Sequence, residues 1–441
     1  MQNGHTHIVL GLGATGLSVV RYLVSQGIKP LVMDTRRTPP GASELANEFH
    51  DIELICGGFD CRGLVQATQI IVSPGIALDT PEVRAVLDMG IEVIGDIELF
   101  ARAVAHRKPC VIGITGSNGK STVTTLVRDM LVHGGKKAVM GGNIGVPALD
   151  LLHADVDYYV LELSSFQLET TSSLNCIAAT CLNISEDHMD RYSDINAYRE
   201  AKLRLYQQTR FLMFNGDDAL TEPFEPMNQN TFSLSVPEHD EWGVADGKVF
   251  HGSSQIMALD DISLIGSHNH ANVIAAMALV DACDIDKQVM IDIAKDFKGL
   301  SHRCELVAEK NGVLYINDSK ATNVGATVAA IEGFNDHLGD IYLIVGGDGK
   351  DADFAPLIPA LNKVSQVIAL GKDGDKLAAL KEGAIKVNTM SEAVNVATAE
   401  AMSGDIVMLS PACASLDMYA NFMARGDDFI QCVEQITDGQ S

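Results

Sequence analysis

No apolar run in this 441-residue chain is long enough to cross a bilayer, so a membrane-spanning protein is not expected. Basic residues are scarce: 32 Lys and Arg against 58 Asp and Glu leave a formal charge of −26, which argues against nucleic acid or an anionic membrane as a partner. The nine cysteines are an odd number for a disulfide framework, and some sit in apolar runs such as Asn175-Cys-Ile-Ala-Ala-Thr-Cys181. Reduced, buried thiols are therefore expected rather than bridges. Cys56 with Cys61 and Cys176 with Cys181 lack a neighbouring Cys/His pair, which leaves zinc without a ligand set. Repeats and low-complexity tracts are absent. The segment Met1-Gln-Asn-Gly-His-Thr-His7 enters a strand with no cationic leader or long apolar core, so a cytoplasmic location is expected. Hydrophobic material is plentiful, at 46% of a chain longer than one core usually serves, which predicts two or three domains.

Residues 7–95 alternate apolar strands (His7–Leu10, Leu31–Asp34, Ile70–Ser73, Glu92–Ile94) with helical patterns, predicting a parallel sheet with crossover helices. A helical stretch from Asp96 to Val104 runs into Ala105-His-Arg-Lys-Pro109, read as a linker. A second α/β unit follows, with strands near 110–115, 137–140, 157–163 and 177–183. From about 211 to 265 short β patterns and turn residues dominate, predicting a small antiparallel excursion. Ser267–Val280 reads as a capped helix, and the turn Lys298–Arg303 opens a third α/β unit with strands near 313–317, 341–346, 366–370, 385–388 and 405–410.

The segment Cys110-Val-Ile-Gly-Ile-Thr-Gly-Ser-Asn-Gly-Lys-Ser-Thr122 reads as a strand, a phosphate loop and a helix start. Its glycines let backbone N–H groups close on phosphate oxygens, Lys120 supplies a point charge, and the Ser121 hydroxyl can hold Mg2+ at the positive end of the next helix. A nucleoside triphosphate is the expected ligand. The spacing is a variant, because the strict G-x-x-x-x-G-K-[ST] pattern needs glycine where Ile114 stands. Downstream, Tyr158–Gln167 puts Glu162 at the end of a nearly continuous apolar strand, where a carboxylate is costly unless paired or metal-bound. Mg2+ beside the phosphate loop is one partner; a salt bridge to a core arginine is the other.

Ile8-Val-Leu-Gly-Leu-Gly-Ala-Thr-Gly16 gives G-x-G-x-x-G between a strand and a helix, and Asp34 ends the next strand. The physical content is a pyrophosphate on a helix N-terminus, at Gly13 and Thr15, with a carboxylate within reach of a ribose hydroxyl. UDP presents the same groups as a dinucleotide. Thr35 and Arg36 beside Asp34 are candidate donors to phosphate or uracil, or solvated loop residues. Ser73-Pro74-Gly75 is a strand-end turn and a candidate ligand loop. Asn143 in Gly141–Gly145 sits in a turn where asparagine is common for conformational reasons. His188, in Asn183–Arg191, read alone is a surface-loop histidine. In the third unit, Ile316–Asn323 with Lys320, Val345–Lys350 with Lys350, and Leu409–Asp417 all leave strand C-termini, where open α/β sheets bind ligands. Either lysine could hold a carboxylate or phosphate.

Together these segments closely resemble the Mur ligases, the ATP-dependent amide-bond enzymes of peptidoglycan precursor assembly, over essentially the whole chain. Its most specific pieces are Gly113–Thr122, Leu161–Glu169, Glu186–Tyr192, Ala197–Arg204, His302-Arg303, Asn317–Asn323 and Ser410–Asp417. The N-terminal turn favours the L-alanine-adding or D-glutamate-adding members, and the third-unit loops favour D-glutamate. The resemblance implies a three-domain α/β fold: a Rossmann-like domain over 1–96 for the UDP-substrate, a P-loop ATPase-like domain over 97–299 with a small antiparallel β portion, and a Rossmann-like domain over 300–441 that binds the amino acid and completes the nucleotide site. Implied substrates are ATP, UDP-N-acetylmuramoyl-L-alanine and D-glutamate, with an acyl phosphate as intermediate and a monomeric enzyme. ATP would lie on Gly116, Ser117, Asn118, Gly119, Lys120, Ser121 and Thr122, with Asn269, Asn272, Arg303 and Asp318 around adenine and ribose. One Mg2+ would use Ser121 and Glu162, and a second His188 and Lys202. In the family this lysine is carbamylated by CO2; its bare context reads as an exposed helix face. Lys350, Thr322, Ser415 and Phe422 are expected at D-glutamate, with Asn143 near the muramoyl substrate.

Two other classes remain in view: a nicotinamide-dependent oxidoreductase, resting on Gly11, Gly13, Gly16 and Asp34, and a non-enzymatic nucleotide switch. The oxidoreductase reading leaves the phosphate loop and the third unit without a role.

Overall fold

The computed structural model describes residues 6–153, 155–334 and 337–438. Three sheets succeed one another along the chain. The first has five parallel strands in the order Leu54–Cys56, Leu31–Asp34, His7–Leu10, Gln69–Val72, Glu92–Ile94. Strand order reverses beside His7–Leu10, so the turns at Gly11 and Ser73 open a crevice at the carboxyl ends of neighbouring strands. The strand Leu54–Cys56 was not read from the sequence, and the strand expected at Ile70–Ser73 begins and ends one residue earlier.

The second sheet has nine strands, with Cys110–Thr115 between Ala178–Cys181 and Tyr158–Glu162, and Ala138–Gly142 at one edge. The expectation of antiparallel structure over 211–265 is corrected in part. Leu212–Asn215 and Gln229–Phe232 continue the parallel run, and only Trp242–Ala245, Lys248–His251 and Ser254–Ala258 pair antiparallel. Beneath the sheet, helix Ser267–Asp281 is buried from Val273 to Val280, as a helix apolar on every side must be. Its N-cap position is Gly266, with no side-chain cap, so the cap expected at Ser267 is not formed.

The third sheet has six strands in the order Glu305–Lys310, Val313–Asn317, Ile406–Leu409, Ile341–Gly346, Gln366–Leu370, Ile385–Lys386. Only the first pair is antiparallel, and Glu305–Lys310 was not anticipated. The three middle strands adjoin, so the loops after Asn317, Gly346 and Leu409 emerge side by side.

The cores show how the sheets are joined. One apolar cluster takes in Val9 and Ile71 of the first sheet and Val20 of the helix Ala14–Ser25 together with Val111, Tyr159 and Leu161 of the second sheet, through helix Asp96–Val104. Phe100 on that helix meets Tyr159 edge to face at 5.1 Å. The third sheet has two clusters of its own. The first two units therefore share buried apolar surface, whereas among the described residues no apolar cluster spans the second and third, and the Arg303–Ser121 and Asn323–Asp187 bonds cross between them. Among the described residues no helix is long and apolar enough to cross a membrane.

Candidate active site

The phosphate loop is built by backbone shape. Gly119 has φ +83°, and a Cβ there would lie 2.3 Å from the Asn272 amide oxygen, so only glycine fits beneath helix Ser267–Asp281. Ile114, at the position that departs from the strict spacing, is still within the strand, paired with Glu162 and Thr180 and fully buried. Asn183 supplies rigidity: its amide oxygen accepts from Asn118 N at 2.8 Å and its amide nitrogen donates to Asn118 O at 3.0 Å. Lys120 folds over the loop, donating to the carbonyls of Gly116 at 2.8 Å and Ser117 at 2.9 Å. Burial lowers its pKa, opposed by the field of Glu162.

Glu162 is 3% exposed and makes no arginine salt bridge among the described residues. One carboxylate oxygen accepts from the Ser121 hydroxyl and the other from the Asn143 amide, both at 2.7 Å. Arg303, from the start of the third unit, donates through Nη2 to Ser121 Oγ at 2.7 Å. The reading of Glu162 as partner of a core arginine thus gives way to an indirect contact through Ser121.

Two clefts meet along this chain of bonds. The first, about 420 Å³, lies between the second and third units and brings together Asn118, Gly119, Thr122, Asn269, Asn272, Arg303, Asp318 and Lys320. Asp318 accepts from Ser410 Oγ at 2.8 Å and Cys304 N at 3.2 Å, and burial pushes its carboxyl up to about 7. The second cleft, about 490 Å³, gathers Gly13, Thr15, Asp34, Thr35, Arg36, Ser73, Pro74, Gly75 and Asn143, joined by Gln167. Asp34 is already engaged there. It accepts from Leu12 N at 2.7 Å and from Arg36 at 2.6 and 2.9 Å, and the Arg36 bond, opposed by burial, leaves its pKa at about 2.

The exposed-helix reading of Lys202 is overturned. Asp194 caps helix Ile195–Leu203, and the helix turns Lys202 inward, 1% exposed, with Nζ donating to Gly116 O at 2.8 Å and lying 4.4 Å from the Tyr198 ring centre. Burial, reinforced by Lys120, pulls its pKa down to about 7. His188 has φ +58°, and its ring packs 4.8 Å from Phe166 and 6.4 Å from Tyr198. It is half-buried rather than a free surface histidine, and burial lowers its pKa, which keeps the imidazole neutral and suited to a metal.

Of the amino-acid candidates, Lys320 lies 4.1 Å from the centre of the Phe422 ring, and burial brings its pKa down to about 8. Ser415 is buried, Thr322 bonds back to Lys320 O, and exposed Lys350 lies close enough for its charge to act on His188. Arg425 was missed. It is buried at 3% and donates to Ser319 O at 2.7 Å, Cys413 O at 3.0 Å and Gly346 O at 3.4 Å, tying together all three candidate loops. Nothing local in the helix Phe422–Asp438 marks it out. Among the described residues no cluster of three or more His, Cys, Asp and Glu side chains forms a closed metal site. Ser121 with Glu162 fits instead a Mg2+ that takes its remaining oxygens from phosphates and water.

Residues 5–95 match the family described as Mur ligase MurD-like, N-terminal domain; 114–280 match the Mur ligase middle domain; and 302–413 match the Mur ligase, glutamate ligase domain. The chain is 70% identical to the UDP-N-acetylmuramoylalanine–D-glutamate ligase of Shewanella oneidensis, over 100% of both chains. It is 48% identical to the protein of that name from Nitrosococcus oceani, over 98% of this chain and 97% of that one. In fold it is similar to a MurF ligase from Thermotoga maritima in complex with ADP, with a TM-score of 0.63 at 15% identity over 100% of both chains. A UDP-N-acetylmuramate–alanine ligase from the same organism gives 0.59 at 17%, over 99% of this chain and 100% of that one. By full-length identity and by all three of its segments, the chain belongs to the Mur ligase family.

Proposed function

We propose that the enzyme joins D-glutamate to UDP-N-acetylmuramoyl-L-alanine at the expense of ATP, in cytoplasmic peptidoglycan precursor synthesis. The observation that carries this reading is Glu162, which links the two clefts: one oxygen accepts from Asn143 of the second cleft and the other from Ser121, which Arg303 of the first cleft holds in turn, so that a nucleotide in one and a UDP-linked carboxylate in the other would lie at the two ends of one short chain of bonds. The domain division is taken as 1–96, 97–299 and 300–441, and the working unit as a monomer.

A carboxylate is a poor electrophile. The alanyl carboxylate oxygen therefore attacks the γ-phosphorus of ATP, the bond to the β-bridging oxygen breaks, and ADP leaves behind an acyl phosphate. The D-glutamate amine then attacks the carbonyl carbon, losing a proton, and phosphate departs with the C–O bonding pair. Lys120 and Arg303 put fixed cations beside the transferring phosphoryl group, where they oppose the charge without reorganising. Thr15, Asn143 and the Asp34–Arg36 pair hold the UDP-sugar, while Lys320, Thr322, Lys350, Ser415 and Phe422 orient the amino acid. Mg2+ held by Ser121 and Glu162, and a second ion held by His188 and a carbamylated Lys202, would offset the phosphate charge. The Lys202 side chain suits that modification, since a buried amine brought to about 7 has a neutral fraction able to take up CO2.

The test is ADP release and product formation with UDP-N-acetylmuramoyl-L-alanine, ATP and Mg2+ against a panel of amino acids. Turnover is expected with D-glutamate and not with L-glutamate, because stereochemistry decides whether the amine and both carboxylates can be met together. Equal rates with the two enantiomers, or nicotinamide oxidation without ATP use, would overturn the reading.

A further inference from the structure

Asn323 closes the loop that carries Lys320 and Thr322 and begins the helix Val324–Glu332. Its Oδ1 accepts from Ala326 N at 2.8 Å, the bond of an N-cap, and this fixes which way the amide faces. Nδ2 is thereby directed out of the third unit and across to the second. It donates to Asp187 Oδ2 at 3.1 Å and lies 3.5 Å from Asn118 Oδ1. One side chain of the third unit thus touches both the phosphate loop and the loop that carries His188. The approach is close: a Cβ at Gly325 would lie 2.5 Å from the Ser185 hydroxyl, so the helix start is seated directly on that second loop.

We infer that Asn323 is a positioning residue that sets the register of the amino-acid loop against the phosphate loop, holding the attacking amine opposite the activated carbonyl. The inference rests on the function proposed above. Among the described residues the third unit shares no apolar cluster with the second, so its placement depends on polar contacts of this kind, and this one joins three loops at once. A donor aimed at a carboxylate is also among the stronger neutral-to-charged contacts available to such an interface.

Two substitutions separate the cap from the contact. Asn323→Asp and Asn323→Ser both retain an N-cap oxygen, but the first places a carboxylate against Asp187 and the second is too short to reach it. Thermal stability should stay near that of the unaltered protein, while kcat falls on the order of tenfold or more and KM for D-glutamate rises, with Asp the worse. Adding Asp187→Asn to Asn323→Asp exchanges amide and carboxylate and should recover part of the loss relative to Asn323→Asp alone. Small-angle scattering reads the same contact without turnover: Asn323→Asp should be more expanded than the unaltered protein in the absence of ligand. Unchanged kcat and KM, a fall in activity matched by a fall in melting temperature, no recovery in the exchanged pair, or superimposable scattering would each overturn the inference. Failure of the unaltered protein to ligate D-glutamate would instead refute the proposed function and leave the scattering test standing.

Discussion

The ammonium groups of Lys120 and Lys202 donate to one oxygen, the carbonyl of Gly116, each at 2.8 Å. Two ammonium groups so close oppose each other, and the conflict falls on the fully buried Lys202, which also has no carboxylate in salt-bridge range among the described residues. A neutral or anionic group at Lys202 would relieve it, leaving Lys120 as the charge that faces phosphate.

Lys202→Ala is therefore expected to be nearly inactive and to be partly rescued by a short carboxylic acid able to fill the vacated space. Activity of the unaltered protein should fall in CO2-depleted buffer and return with bicarbonate. Near-normal turnover of Lys202→Ala in that buffer would mean the lysine is a structural residue only.

Lys120→Ala should lower turnover on the order of 10²-fold or more without loss of fold, because the missing charge stabilises the transferring phosphoryl group. Glu162→Ala should act through the metal and be partly offset by raising Mg2+. Titrating both variants with Mg2+ separates the two roles. A loss of no more than a few-fold in either at saturating Mg2+ would misplace the site.

Changing Arg303 or Asp318 should weaken binding of an ATP analogue by roughly tenfold, the scale of one charged hydrogen bond. Both residues lie in the third unit and line the cleft whose phosphate loop is in the second. Calorimetric titration of Arg303→Ala decides this; an unchanged dissociation constant would place the nucleotide elsewhere.

Asp96 is 2% exposed at the junction of the first two units, with Oδ2 accepting from Gln167 at 3.1 Å and Oδ1 without a hydrogen-bond partner among the described residues. Burial raises its pKa from 3.8 to about 6. Between those values the folded chain binds more protons than the unfolded one, so this group's contribution falls as pH rises through that window and stays lost above it. Asp96→Asn should remove that slope, and its stability relative to the unaltered protein should improve by up to ~3 kcal/mol from pH near 4 to pH near 7. Denaturant unfolding at both pH values measures it; parallel pH profiles would refute the assignment.

Much of the site could be read in advance because its parts announce themselves locally. A strand, glycines and Gly119-Lys120-Ser121 need no tertiary context, and neither does a polar loop leaving an apolar strand. Direction and burial are different. Leu212–Asn215 and Gln229–Phe232 are short, and nothing within four residues states whether a partner runs parallel; that is settled by crossovers elsewhere. Glu305-Leu-Val-Ala-Glu-Lys310 is an edge strand with Leu306 and Glu309 exposed and a register shift between Leu306 and Ala308, so it lacks the strict apolar alternation that marks a strand. Lys202 is hidden by a helix packing against a loop 86 positions earlier in the chain, and Arg425 earns its place from three loops, 12, 79 and 106 positions earlier.

The shared carboxylate of Glu162 has a consequence for how the two ligands sense each other. One oxygen is tied to Asn143 of the second cleft and the other, through Ser121, to Arg303 of the first, so an occupant that rotates the carboxylate from one side changes what Asn143 or Ser121 can offer on the other. At equilibrium such coupling is reciprocal: the factor by which nucleotide alters affinity for the UDP-sugar equals the factor by which the sugar alters affinity for nucleotide. A preferred order of ligand addition, if measured, would then be a property of one side chain's orientation.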